Sequence, residues 1–227
     1  MIETVSIPAS VHGRVLVKRH RVSFSEKRHP MSFPGVTLVG FHGYAQSAED
    51  MMNVLQRIPG GDQATLISIQ ALNRFYTRGD QKIVASWMTR QDREETIADN
   101  VAYVDRVLET TSGVVSDKTT PDVVFLGFSQ GVAMAYRAAL LGKRPAAGII
   151  AIGGDVPPDV KDVPAAQWPR VLIEAGTNDQ WYTSAKISAD EEFLKAHGVT
   201  HQINRRDAGH EVTDEMLASV AAFIANG

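Results

Sequence analysis

From residue 35 onward the chain alternates short apolar runs with stretches whose apolar positions recur every three or four residues. The runs are residues 36–41, 64–69, 123–128, 148–152, 171–175 and 199–204. Short apolar runs bounded by turn residues are the pattern of strands buried on both faces. Between them, residues 47–58 open with Ser47 as a helix cap, and residues 94–108 place Ile97, Val101, Val104 and Leu108 at helical spacing. Residues 132–140, 184–196 and 212–224 supply three more helices, the last carrying Met216, Leu217, Val220 and Phe223 on one stripe. Strands that alternate with helices predict an α/β fold: a mostly parallel, twisted sheet with helices on both faces.

The first 33 residues read differently. They mix the β-favouring runs Arg14-Val15-Leu16-Val17 and Arg21-Val22-Ser23-Phe24 with the charged stretches Lys18-Arg19-His20-Arg21 and Glu26-Lys27-Arg28-His29. These predict edge strands, where Lys and Arg discourage unwanted strand pairing. The expected organisation is a single domain, with edge strands in residues 1–33 and the core in 34–227. Two connections are long, residues 71–90 and residues 153–169 with the pair Pro157-Pro158. Long connections in a compact fold are often functional, but neither can hold a separate cap domain, so a site at the sheet edge should be open.

Gly127-Phe128-Ser129-Gln130-Gly131 is a G-x-S-x-G sequence lying between a strand pattern and a helix pattern. The bare pattern would arise by chance in roughly one chain in thirteen of this length, so its position is what carries information. On a strand-to-helix turn, flanking glycines let backbones approach while the serine hydroxyl projects above the sheet. A serine hydroxyl is a weak nucleophile and needs a base held by an acid, in the chain order Ser, Asp or Glu, His. Asp179 in Gly176-Thr177-Asn178-Asp179 and His210 in Asp207-Ala208-Gly209-His210-Glu211 follow successive strands and fit that order. Asp155, in Gly153-Gly154-Asp155 after another strand, is the rival acid.

In acyl transfer the carbonyl oxygen gains negative charge, which two preorganised N–H donors can meet. Gln130 N–H, after Ser129, is one candidate; Tyr44 N–H, in Phe41-His42-Gly43-Tyr44-Ala45-Gln46, is the other. Phe75, Trp87, Trp181 and Tyr182 fall in or beside loops at the same edge and are the candidate substrate-lining aromatics. Trp87 fits core packing equally well. Glu174 is a charged residue in an otherwise apolar strand; an arginine beneath the site is one partner for it, which the sequence does not identify. His197 and His201 stand four apart, but Gly198, Val199 and Thr200 between them mark a helix-to-strand junction and not a helical metal pair. His12, His20 and His29 precede the core and have no partner pattern.

Composition narrows the classes. The 227 residues are 44% hydrophobic and 22% charged, which is ordinary for a globular protein. A net charge of -3, from 23 Lys plus Arg against 26 Asp plus Glu, selects neither nucleic acid nor an anionic membrane as partner. The absence of cysteine removes disulfides, thiolate catalysis and Cys-ligated zinc. The start shows no signal-peptide pattern and no run reaches membrane-spanning length, so a cytoplasmic location is the plain reading.

At these residues the chain resembles the phospholipase/carboxylesterase family of α/β-hydrolases, which includes acyl-protein thioesterases. The likeness runs from about residue 36 to 224. It rests on the Phe41–Asp50 block, Ser86-Trp87, Gly127–Gly131, Gly176–Asp179 and Gly209-His210-Glu211. It implies an α/β-hydrolase without cofactor or metal that cleaves short- to medium-chain esters of small molecules and often forms homodimers. Ala175, where relatives often carry His, and the basic N-terminal strands depart from the family pattern. Acyl thioesterase or lysophospholipase activity is the nearest alternative; a non-enzymatic small-molecule binding module is the alternative of a different class.

Overall fold

A computed structural model describes residues 2–3, 5–19, 35–111 and 123–226. Nine strands and five α-helices lie among these residues: β1 Val15–Lys18, β2 Thr37–Phe41, α1 Ala48–Arg57, β3 Thr65–Ile69, β4 Asn73–Tyr76, β5 Ile83–Ser86, α2 Arg93–Thr111, β6 Val123–Phe128, α3 Gln130–Leu141, β7 Gly148–Ile152, β8 Arg170–Gly176, α4 Ser184–Ala196, β9 His201–Arg206 and α5 Asp214–Ala225. Seven strands form one sheet in the order β1-β3-β2-β6-β7-β8-β9, parallel except for antiparallel β1 at the edge. The edge strand expected at residues 14–17 is β1; the one expected at Arg21–Phe24 lies outside the described residues.

The continuous apolar runs follow from burial on both faces. Along β6, Val123 and Phe125 join the core beneath α2, α3 and α4, whereas Val124 and Leu126 join the core beneath α1 and α5. Successive strand residues point to opposite faces, so a strand covered on both sides must be apolar at every position. Helix α1 begins where Ser47 caps it: its hydroxyl accepts from Asp50 N–H, and Asp50 returns a bond to Ser47 N–H. Helix α4 ends at His197 and β9 begins at His201, so the two histidines flank a junction and do not share a helical face.

Residues 71–90 are not a plain loop. They contain β4 and β5, an antiparallel hairpin in which Phe75 opposes Val84 and Tyr76 opposes Ile83. An isolated bridge between Gln46 and Ala85 ties the hairpin to the segment after β2. Residues 153–169 fold into two 3-10 turns, Pro158–Val160 and Ala165–Gln167, and hold no cap domain. No helix among the described residues is long and apolar enough to cross a membrane.

Two buried charges hold this arrangement. Glu174, fully buried in β8, pairs with Arg206 Nε of β9 at 3.2 Å and accepts from the Asn204 amide. Arg206 also reaches Ser219 and Glu215 of α5. Arg137, 3% exposed on α3, is held by Asp159 through two bonds of 2.7 and 2.9 Å. Arg93 adds a third at 2.8 Å. Burial opposes ionisation of Asp159, but the two guanidinium groups prevail and hold its carboxyl far below the usual carboxylate range.

Removing one partner of such a pair strands the other. Asp159→Ala is expected to cost about 3 kcal/mol in urea titration, the low end for a buried pair because Asp159 is 21% exposed. The Arg137→Met/Asp159→Ala double variant should lose less. Because the folded carboxyl is depressed, the pair stabilises fully above the ordinary carboxylate range and loses its contribution as pH falls below it.

Candidate active site

Strand β6 enters a turn at Ser129, whose backbone lies at φ 54, ψ -120, a region an L-residue adopts only when its surroundings impose it. The imposition is visible. Ser129 N–H donates to Ile152 O at 2.9 Å, and Val132 N–H donates to Ser129 O at 3.0 Å. A Cβ on Gly131 would stand 2.0 Å from Phe41 O, so α3 starts against the end of β2 only because that position is glycine. The turn lifts the Ser129 hydroxyl out of the sheet edge, at the N-terminus of α3.

Ser129, His210 and Asp179 come together from the ends of β6, β9 and β8. His210 Nε2 lies 2.8 Å from Ser129 Oγ, and His210 Nδ1 lies 2.7 Å from Asp179 Oδ2. Asp179 Oδ1 accepts from the N–H groups of Trp181 at 2.7 Å and Tyr182 at 3.0 Å. Burial pushes the Asp179 carboxyl up, but bonds from His210, Tyr182 and Trp181 outweigh it and hold the group below the ordinary carboxylate range. An ionised Asp179 only accepts, so Nδ1 carries the imidazole proton and Nε2 is left to accept from the Ser129 hydroxyl. Phe128 packs its ring 5.1 Å from the imidazole, centroid to centroid. Asp155, the rival acid, pairs instead with Lys186 at 3.2 Å and is half-exposed.

The His42-Gly43 turn abuts this array: a Cβ on Gly43 would lie 3.3 Å from Ser129 Cβ. Buried His42 fixes the turn. Its Nδ1 bonds Gly43 O at 2.7 Å, its Nε2 accepts from Ala71 N–H at 3.1 Å, and its carbonyl accepts from the Trp87 indole at 2.8 Å. Gln46 Oε1 takes up Gly43 N–H at 2.7 Å. Tyr44 N–H makes no hydrogen bond among the described residues. Gln130 N–H, first in α3, has no partner within its helix. The Gln130 side chain is occupied elsewhere, accepting from Trp87 N–H at 2.9 Å and donating to Ser86 Oγ at 3.0 Å.

A cavity of about 370 Å³ opens beside Ser129 and His210. Trp87, Trp181 and Tyr182 line it, as the sequence suggested, although fully buried Trp87 also packs against Phe41 and His42. Phe75 does not line it. The hairpin places that ring against exposed Tyr44, 5.6 Å away, outside the cavity. Gln130, Gly153 and Asp155 also line it, as do Met88, Ala133, Arg137, Gly154 and Lys186, which were not singled out from the sequence. Ala133 and Gly154 had a signal in their position just after the elbow and just after β7; Arg137 and Lys186 had none. The described residues contain no cluster of three or more His, Cys, Asp or Glu placed to hold a metal.

Residues 29–226 match the sequence model of the Phospholipase/Carboxylesterase family, and the chain belongs to that family of α/β-hydrolases. The fold is shared with SOBER1 of Arabidopsis thaliana, at 20% identity, TM-score 0.68, over 84% of this chain and 98% of that one. A Bacillus cereus carboxylesterase matches at 14% identity and TM-score 0.69, over 94% of both chains. Acyl-protein thioesterase 2 of Zea mays matches at 17% identity and TM-score 0.67, over 95% of this chain and 99% of that one. At these identities the three structures speak for the fold. No curated protein sequence matches the chain. The chain is thus a hydrolase of a phospholipase and carboxylesterase family.

His42 gives a pH test of how the site is built. Burial lowers its pKa from 6.5, against the Gly43 bond and the Asp50 charge, which raise it. Protonation therefore favours the unfolded chain: the stability carried by neutral His42 is complete above 6.5 and is lost as pH falls below it. The urea midpoint of the parent protein should fall between pH 7.5 and 5.5, and a His42→Asn variant, weaker at pH 7.5, should show a smaller fall.

Proposed function

We propose that the protein is a serine carboxylesterase for short- to medium-chain esters of small molecules, with Ser129, His210 and Asp179 as its catalytic triad. The observation that carries this reading is the continuous chain from Ser129 Oγ through both imidazole nitrogens to Asp179, at 2.8 and 2.7 Å. Ser129 Oγ attacks the carbonyl carbon as its proton passes to His210 Nε2, and ionised Asp179 stabilises the imidazolium. Tyr44 N–H and Gln130 N–H receive the oxyanion. The alcohol leaves with the proton from His210, and an acyl group remains on Ser129. Water, deprotonated by His210, then releases the acid. No cofactor or metal takes part. The cavity, open to solvent and at the small end of the range for ligand sites, supports small acyl groups. Exposed Trp181 is its substrate-facing aromatic, whereas Tyr182 is buried and turns its hydroxyl to Asp190. A cytoplasmic location belongs to the same proposal, as does a homodimer.

A fluorophosphonate probe should label the parent protein, and Ser129→Ala should abolish labelling and lower ester turnover by roughly three or more powers of ten while the protein stays folded. Near-normal activity in the variant would remove Ser129 from the mechanism. Turnover of matched oxygen esters and thioesters tests the bond preference.

The acid is tested by asparagine replacement. Asp179→Asn leaves shape intact but cannot hold the Nδ1–H tautomer, and the corresponding change in serine proteases costs about four powers of ten. A loss of that order is expected for Asp179→Asn, and less than about tenfold for Asp155→Asn, whose carboxylate holds Lys186 and not His210. The reverse ranking in steady-state kinetics would move the role to Asp155.

A further inference from the structure

Behind the triad lies a buried carboxylate that the proposed reaction does not use. Asp190, on α4, is 3% exposed. Its Oδ2 accepts from the Tyr182 hydroxyl at 3.0 Å and from Val156 N–H at 3.1 Å. Tyr182, itself 1% exposed, is thereby held at both ends, since its backbone N–H donates to Asp179 Oδ1. Val156 belongs to the segment after β7 that brings Gly153 and Gly154 to the cavity wall. One carboxylate oxygen thus joins the two segments, after β7 and after β8, that flank Asp179 and His210.

A carboxylate in this position is costly. Burial raises its pKa against the two bonds it accepts, and the Asp155 charge raises it further while Lys161 lowers it. The fully buried Tyr136 hydroxyl, in the field of Asp190 and Asp155, has no hydrogen-bond partner among the described residues. An apolar side chain would fill the same space without desolvating a charge, so packing alone does not account for Asp190. Its two bonds fix backbone whose placement matters to the triad. The Asp179 carboxylate accepts from the Trp181 and Tyr182 N–H groups, and the same Tyr182 is anchored through its hydroxyl to Asp190.

We propose that Asp190 is a positioning residue: by holding the Tyr182 hydroxyl and Val156 N–H on one oxygen, it keeps Asp179 aligned on His210. This rests on the triad being catalytic, and fluorophosphonate labelling of the parent protein tests that separately. The decisive variants are Asp190→Ala, Asp190→Asn and Tyr182→Phe, measured on 4-nitrophenyl butyrate and by low-field proton NMR of the His210 Nδ1–H. Asparagine can place its amide oxygen where Oδ2 stands and keep both bonds. Asp190→Ala is expected to lower kcat about tenfold and Tyr182→Phe at least about threefold, with smaller changes in KM. The two losses should not add in the double variant, because both break one chain of contacts. The low-field resonance should shift or broaden in both single variants, and Asp190→Asn should restore kcat and resonance toward the parent. Loss of stability with kcat and resonance unchanged would overturn the proposal and leave Asp190 a structural residue. If Asp190→Ala fails to fold, Tyr182→Phe decides: parental kcat and resonance in that variant overturn it. A parent protein that takes no label overturns both the triad reading and this one.

Discussion

The rest of the site depends on the backbone of one residue. Ser129 sits at φ 54, ψ -120, where a non-glycine residue stores about 1–3 kcal/mol of strain. The surroundings over-determine it: β7 takes its N–H, α3 takes its carbonyl, and the start of α3 is pressed against Phe41 O at the end of β2. That close approach sets several things together. It raises the hydroxyl above the sheet edge, leaves Gln130 N–H pointing from the start of α3, and brings the His42-Gly43 turn alongside the serine. A side chain at Gly131 would push these apart at once, since the nearest atom is backbone and cannot yield.

Protonation states are set by a different device at each of the two histidines. At His210, an acid kept ionised by three donors selects the tautomer, which leaves Nε2 free for the serine. At His42, burial disfavours the cation and both ring nitrogens are committed to backbone, so this imidazole is a brace for the turn. The same residue type therefore does two jobs within one site, divided by whether a carboxylate or a pair of backbone groups faces the ring. The buried charges follow a similar logic. Glu174 and Asp159 each meet a guanidinium, whereas the hydrogen bonds to Asp190 among the described residues come from a phenol and an N–H. Within the described residues these three carboxylates tie α5, α3 and α4 to the loops or strands they cover.

Periodicity and motif order made much of this legible in advance. The strand and helix succession, the Ser47 cap, the elbow at Gly127–Gly131 and the order Ser129, Asp179, His210 are local patterns, each set by residues within one turn or one strand. Burial on both faces writes itself as a continuous apolar run, and a strained turn writes itself as flanking glycines, so these could be read one segment at a time.

The sequence by itself determined the fold class, the elbow and the candidates for base and acid, because those depend on spacing along the chain. Only the tertiary structure showed which of Asp179 and Asp155 contacts His210, since both follow a strand at the same edge and the difference is which loop faces the imidazole. It likewise found the β4–β5 hairpin within residues 71–90, carried Phe75 away from the cavity to Tyr44, and chose Arg206 as the partner of Glu174. Asp190 had no signal at all in the sequence, being one acidic residue among several on α4. Its burial, and the two loops that meet at its oxygen, come from packing between segments far apart along the chain, and no local pattern encodes where such segments meet.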